Sequence, residues 1–141
     1  MRILLVRHAS ARDRDEWSGE DGLRPLEERG KSQAEGVAAL LRPFAPTAIL
    51  SSAAVRCRQT VEPLAEALGL EVENRGELAE GSSRNDVLRL ARALPDELAV
   101  FCTHGDVVEE VLGKESKKGS TWILRFEGGA VEPLQYLPAT D

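Results

Sequence analysis

A chain of 141 residues, 42% hydrophobic and 30% charged, carries enough apolar material for one domain with a real core and too little length for two. The formal net charge of -6 excludes a global positive field that would draw the chain to nucleic acid or anionic lipid, so any phosphate it binds must meet a local cluster of cations. The apolar run at the start is too short for a signal peptide, and no stretch approaches the roughly 20 apolar residues of a membrane helix. Two distant cysteines without CxxC spacing form neither a metal site nor a disulfide framework. The expectation is a cytoplasmic protein with reduced thiols and neither a nucleic-acid nor a membrane partner.

Ile3 to Val6 is a continuous apolar run, as in a strand buried on both faces. A charged loop over residues 9–30 follows, with Trp17 and Pro25 in it. Ala34, Val37, Ala38 and Leu41 then form the stripe of an amphipathic helix that stops before Pro43. Ala48 to Leu50 reads as a second buried strand, with Ser51 or Ser52 expected to cap the next helix. That helix carries Cys57, Val61, Leu64 and Leu68, ends at Gly69, and is expected to kink or break at Pro63.

Leu70 to Asn74 gives a weaker third strand, and Ser83 with Asp86 resembles a capping box before a helix bearing Val87, Leu90, Ala91 and Leu94, closed by Pro95. Leu98 to Cys102 is the clearest later strand, and Asp106 with Glu109 is expected to cap a short helix ending at Gly113. Thr121 to Phe126 and Val131 to Leu137 flank Gly128-Gly129 as a hairpin, with Pro133 placing the last strand at an edge. This alternation predicts an α/β fold: a three-layer α/β/α sandwich with a mostly parallel central sheet and an antiparallel C-terminal edge, one domain over residues 1–141.

Ligands of such sheets bind beyond the carboxyl ends of the strands. Three predicted strands end in polar groups: Arg7-His8, then Ser51-Ser52 with Arg56 just beyond, then Thr103-His104-Gly105. A lone histidine is more often a satisfied structural residue, but both histidines of the chain fall at such ends, and two arginines accompany them. Arginine presents a planar fork of donors that matches phosphoryl oxygens, so Arg7, Arg56 and a histidine can neutralise a phosphate and its developing charge. A neutral imidazole can attack phosphorus through one ring nitrogen while its other N–H is held. No third metal ligand accompanies the two histidines at useful spacing, and nearby arginines repel a cation, so no metal and no cofactor is expected.

The segments VRHAS, ILSSAAVRCRQT and VFCTHGD resemble, in order and over nearly the whole chain, the histidine phosphatase superfamily of phosphoglycerate-mutase-like proteins. The resemblance implies a phosphohistidine intermediate on His8 and a phosphate pocket of Arg7, Arg56 and His104. The family also uses a carboxylate to protonate the leaving group. In GELAEGSS, Glu80 matches that position better than Glu77, and a solvated loop carboxylate is the plainer alternative for either. Arg14 stands where many members carry an Asn, either as a further cation at the pocket mouth or as a loop residue. Leu70 to Leu98 has no room for the long helical insertion that covers the site in mutases, which implies an open site and a phosphatase.

Short members of the SixA group remove phosphate from phosphohistidine on signalling proteins, and an open pocket suits a protein side chain. The segment from Arg7 to Gly30 also resembles the phosphatase domain that follows a Nudix nucleotide hydrolase, which implies a nucleotide or other small phosphoester. The partner is thus a phosphorylated protein or a small phosphorylated molecule, and a non-catalytic phosphate-binding module is the rival from another class. Trp17 is placed either to stack on a base or to anchor its loop. Arg24 and Arg58 read as solvated cations, as do Lys114, Lys117 and Lys118, and both cysteines read as structural.

Overall fold

The computed structural model describes residues 1–140. Six strands, β1 (Arg2–Arg7), β2 (Ala48–Ser51), β3 (Val72–Asn74), β4 (Leu98–Thr103), β5 (Thr121–Glu127) and β6 (Ala130–Leu137), form one sheet in the order β3-β2-β4-β1-β5-β6. The first four are mutually parallel, while β5 runs antiparallel to β1 and β6 antiparallel to β5. Helices α1 (Glu28–Leu41), α2 (Val55–Leu68), α3 (Arg84–Ala93) and α4 (Gly105–Leu112) complete three layers.

The continuous apolar strands follow from this burial on both faces. Leu4, Val6, Val100 and Cys102 pack with Val37 and Leu41 of α1 and Val61 and Leu64 of α2. Ile3, Leu5, Ala99 and Phe101 pack on the opposite face with Val87, Leu90 and Ala91 of α3 and Val107, Val108 and Val111 of α4. Each fully buried Leu, Ile or Phe contributes about 1.5–3 kcal/mol, so these two clusters make the strand ends a stiff platform. Among the described residues no helix is long and apolar enough to cross a membrane.

Three local expectations differ from the outcome. Helix α2 runs through Pro63 without a break, because the surrounding turns are packed on the sheet. It starts after Ala54 with no side-chain cap; Ser52 instead accepts the Ala54 N–H at 3.3 Å and turns its hydroxyl to a histidine. Helix α4 starts after His104, again without a side-chain cap, and Asp106 bonds to another segment. The Ser83–Asp86 capping box on α3 is present as expected.

Candidate active site

The parallel register brings three strand ends to one level. Arg7 lies opposite Thr103, and Ser51 opposite Cys102. One residue further on, the His8 N–H donates to the Thr103 carbonyl and the Ser52 N–H to the Cys102 carbonyl, each at 3.0 Å. His8, Ser52 and His104 are therefore set side by side just beyond the sheet.

His8 is 7% exposed, and its Nδ1 lies 2.8 Å from the Ala9 carbonyl. A carbonyl only accepts, so Nδ1 carries the proton and Nε2 keeps its lone pair. Burial, against the pull of that bond and aided by His104, Arg56 and Arg7, pushes His8 down to about 3. The ring is thus neutral at physiological pH. Behind it the Thr60 hydroxyl accepts the Ala9 N–H at 2.9 Å and donates to the Arg56 carbonyl at 2.7 Å, tying the His8 turn to α2. Sequence reasoning missed Thr60, although a threonine four residues after an arginine on a helix is a known back-bonding arrangement.

The His8 and His104 rings stand edge to face with centroids 5.5 Å apart. Arg56 Nη2 lies 3.4 Å from His104 Nδ1, and Ser52 Oγ lies 2.9 Å from Nε2. Arginine only donates, so Nδ1 is the acceptor and the Nε2–H donates to Ser52. Cys57 Sγ, 3.6 Å from Nε2, lies under the same ring. Burial resists ionisation of Cys57, yet hydrogen bonding with Cys102 and His104 lowers its thiol below the ordinary range, whereas burial drives Cys102 up. Both cysteines are buried, as expected of structural residues, and they are not bridged to one another.

Arg56 is only 1% exposed, and its Nη1 and Nη2 donate to the Asp21 carbonyl at 2.9 Å and to Asp21 Oδ2 at 3.1 Å. Arg7 Nη1 donates to the Ser116 carbonyl, and the guanidinium crosses Gly105 so closely that a Cβ there would lie 2.7 Å from Arg7 Cζ and Nε. Burial pulls Arg7 below the ordinary guanidinium range, with Glu115 and Asp106 opposing the shift. The Nε atoms of Arg7 and Arg56 are both buried without a hydrogen-bond partner. Buried donors left unpaired are costly, and an anion between the two arginines would satisfy them. Among the described residues no group of three or more His, Cys, Asp or Glu is placed to hold a metal ion.

Above this cradle lies a cleft of about 1550 Å³ lined by Arg14, Glu80, Asp106, Lys117, Lys118 and others. Arg14 pairs with Glu80 at 3.1 Å and with Asp21 at 3.2 Å, and Arg56 stands 3.7 Å from Glu80. Glu77 pairs instead with Arg75 at 3.2 Å, which holds its carboxyl below the usual range, and it does not line the cleft. Asp21 escaped the sequence reading. Burial opposes its ionisation, but the bond from Arg24 and the charges of Arg56 and Arg14 hold it low.

Arg24, expected to be solvated, is buried, donating to the Arg12 carbonyl at 2.7 Å and to Asp21 at 3.2 Å. Arg58 likewise reaches from α2 to the Val72 carbonyl and the Asn74 side chain. Trp17 donates its Nε1–H to the Glu20 carbonyl at 2.9 Å under the Arg12 guanidinium and does not line the cleft, so it anchors its loop.

A model of the histidine phosphatase superfamily (branch 1) matches residues 3–86. The chain belongs to that superfamily. As a histidine phosphatase it is 32% identical to the 8-oxo-(d)GTP phosphatase of Mycolicibacterium smegmatis (strain ATCC 700084 / mc(2)155) over 158 residues, covering 99% of this chain and 48% of that protein. The chain thus spans about half the length of that relative. Its fold is similar to that of the protein histidine phosphatase SixA complexed with tungstate, with a TM-score of 0.83 and 20% identity over 98% of this chain and 97% of the other. A mycobacterial glucosyl-3-phosphoglycerate phosphatase is similar in fold too, with a TM-score of 0.77 and 19% identity over 97% of this chain and 99% of the other.

Proposed function

We propose that this histidine phosphatase hydrolyses phosphomonoesters or phosphohistidine without a metal ion, through a phosphohistidine on His8. The observation that carries the proposal is a neutral, Nδ1-protonated His8 set beside His104, the buried Arg56 and the half-buried Arg7, each arginine with a buried Nε that has no hydrogen-bond partner. Arg7 and Arg56 bind the phosphoryl oxygens with Arg14 at the mouth, and His104 joins them in the tautomer that carries its proton on Nδ1, the Ser52 hydroxyl then donating to Nε2. His8 Nε2 attacks phosphorus and forms the N–P bond as the bond from phosphorus to the leaving atom breaks, the oxygen of a phosphomonoester or the imidazole nitrogen of a phosphohistidine substrate, and Glu80 gives that atom its proton. Water then attacks the phosphohistidine and gives a proton to the Glu80 carboxylate, and the N–P bond breaks to release phosphate.

The open cleft supports a phosphohistidine side chain of a signalling protein as substrate. Likeness to the 8-oxo-(d)GTP phosphatase supports a nucleotide as the second reading. With either substrate we place the protein in the cytoplasm, a reading supported by its two unbridged cysteines.

Phosphate release from an aryl phosphate in the presence of EDTA, by the wild type and by His8→Ala side by side, tests the proposal. Turnover by the wild type alone, with the variant folded and at least about 1000-fold slower, is expected. Activity retained in the variant overturns the assignment, and tight vanadate binding without hydrolysis of any substrate tried makes the protein a binding module. Rates on a phosphohistidine protein and on nucleotides then separate the two substrate classes.

A further inference from the structure

Glu80 lies between helices, in the turn that leads from Leu78 to α3, yet its backbone is tied on both sides from one short segment. The Thr103 hydroxyl donates to the Leu78 carbonyl at 2.6 Å, and Asp106 Oδ2 accepts the Gly81 N–H at 2.9 Å. Thr103 and Asp106 flank His104-Gly105. Residues flanking His104-Gly105 thus hold the chain at Leu78 and Gly81, which flank Ala79-Glu80, and the proposed phosphate cradle and the carboxylate become one piece.

Asp106 is the informative half of this clamp. A carboxylate in the first turn of a helix ordinarily serves the free N–H groups of its own helix. Asp106 serves another segment instead, while α4 has no side-chain cap. Gly81 adopts φ +85°, a left-handed turn that suits glycine, at the residue whose N–H Asp106 binds. Without that bond the turn would keep the Thr103 tie at Leu78 and its own Ser82 N–H to Ala79 carbonyl bond at 3.0 Å, and the carboxylate would be held by Arg14 at 3.1 Å and Arg56 at 3.7 Å. The Arg14 pair is exposed, and exposed pairs hold little.

We propose that Asp106 is the positioning residue for the leaving-group acid: by holding the Gly81 N–H it fixes Glu80 over the phosphate bound by His104. The inference rests on the reading of Glu80 as the acid. Asp106 also supports the charge of Arg7, so its effect on the acid must be separated from an effect on phosphate binding.

Leaving-group dependence makes that separation. An aryl phosphate departs as a stable anion, whereas an alkyl phosphate needs a proton, so loss of a placed acid slows formation of the phosphohistidine by a large factor only from the second; kcat/KM reports that step, whereas hydrolysis of the phosphohistidine, in which Glu80 also takes part, is common to both substrates. Wild type, Asp106→Ala, Asp106→Asn, Glu80→Gln and the Asp106→Ala/Glu80→Gln double variant are compared on both substrates, with vanadate inhibition and thermal melting measured alongside. Asp106→Ala is expected to lower kcat/KM on the alkyl phosphate about 10-fold or more and on the aryl phosphate less than about 3-fold, with vanadate inhibition unchanged. Asp106→Asn, whose amide oxygen still accepts, recovers most of the loss, and the double variant is no slower than Glu80→Gln.

An equal loss on both substrates, or a loss shared by Asn and Ala with weaker vanadate inhibition, overturns the proposal in favour of support to Arg7. No loss on the alkyl phosphate overturns it outright. If Asp106→Ala does not fold, Asp106→Ser, too short to reach Gly81, takes its place with the same criteria. Glu80→Gln without leaving-group dependence removes the acid itself, whereas a selective Glu80→Gln beside an indifferent Asp106→Ala removes only the present inference.

Discussion

The floor and the rim of the cleft are built on different physics. On the floor, His8, Arg56 and His104 are buried, fixed by strand register and by backbone carbonyls, and the charged form of His8 is strongly disfavoured. On the rim, Arg14 and Glu80 have side chains 59% and 47% exposed and are joined by an ion pair. Low local dielectric makes each floor contact strong and each missing partner costly, whereas water screens the rim. The difference teaches how the two parts respond to change: the floor tolerates little, and the rim can be altered at small cost in stability, which under the proposed function assigns chemistry to the floor and selectivity to the rim.

Replacing a floor residue tests this division most severely. Arg56→Lys keeps the charge but loses the fork that reaches Asp21 and His104, and kcat/KM on an aryl phosphate is expected to fall roughly 100-fold, about 2.7 kcal/mol in the transition state. Steady-state kinetics check it, and a fall below about 3-fold would mean that the floor is no stricter than the rim.

A smaller effect follows from the burial of neutral His8. Its folded value of about 3 lies below the ordinary 6.5, so between those pH values the unfolded chain binds more protons and stability falls as pH falls. The loss is at most about 1.4 kcal/mol per pH unit. Denaturation of wild type and His8→Ala at pH 8 and pH 5 should show the variant losing about 1–2 kcal/mol less on acidification. Equal losses would mean that His8 is not held neutral by its surroundings.

The rim should yield the smallest change. Arg14→Ala removes exposed pairs with Glu80 and Asp21 and is expected to shift stability by no more than about 1 kcal/mol and aryl phosphatase activity by no more than about 3-fold. A larger loss of activity would move Arg14 from the rim to the floor.

Much of the fold was legible because its signals are local. Buried parallel strands betray themselves as unbroken apolar runs, and α3 by its capping box. The expected break at Pro63 did not occur, because packing of α2 on the sheet outweighs one missing helical hydrogen bond. The polar strand ends marked the place of Arg7, His8 and His104, since open α/β sheets present their ligands there. Asp21, Thr60 and the second duty of Asp106 left no comparable trace. Each is an ordinary polar residue whose partner lies far along the chain: Asp21 meets Arg56, Thr60 meets Ala9 and Asp106 meets Gly81.

By itself the amino-acid sequence determined the order of strands and helices and which side chains stand at the strand ends, because residue type and periodicity carry that information, and its three motifs carried the resemblance to the family. Only the tertiary structure decided which ring nitrogen of His8 is free, that Arg24 and Arg56 converge on Asp21, and that Glu80 rather than Glu77 faces the cleft. Those are matters of a few ångströms between segments distant in the chain, set by sheet register and by the hydrogen bonds that cross between loops.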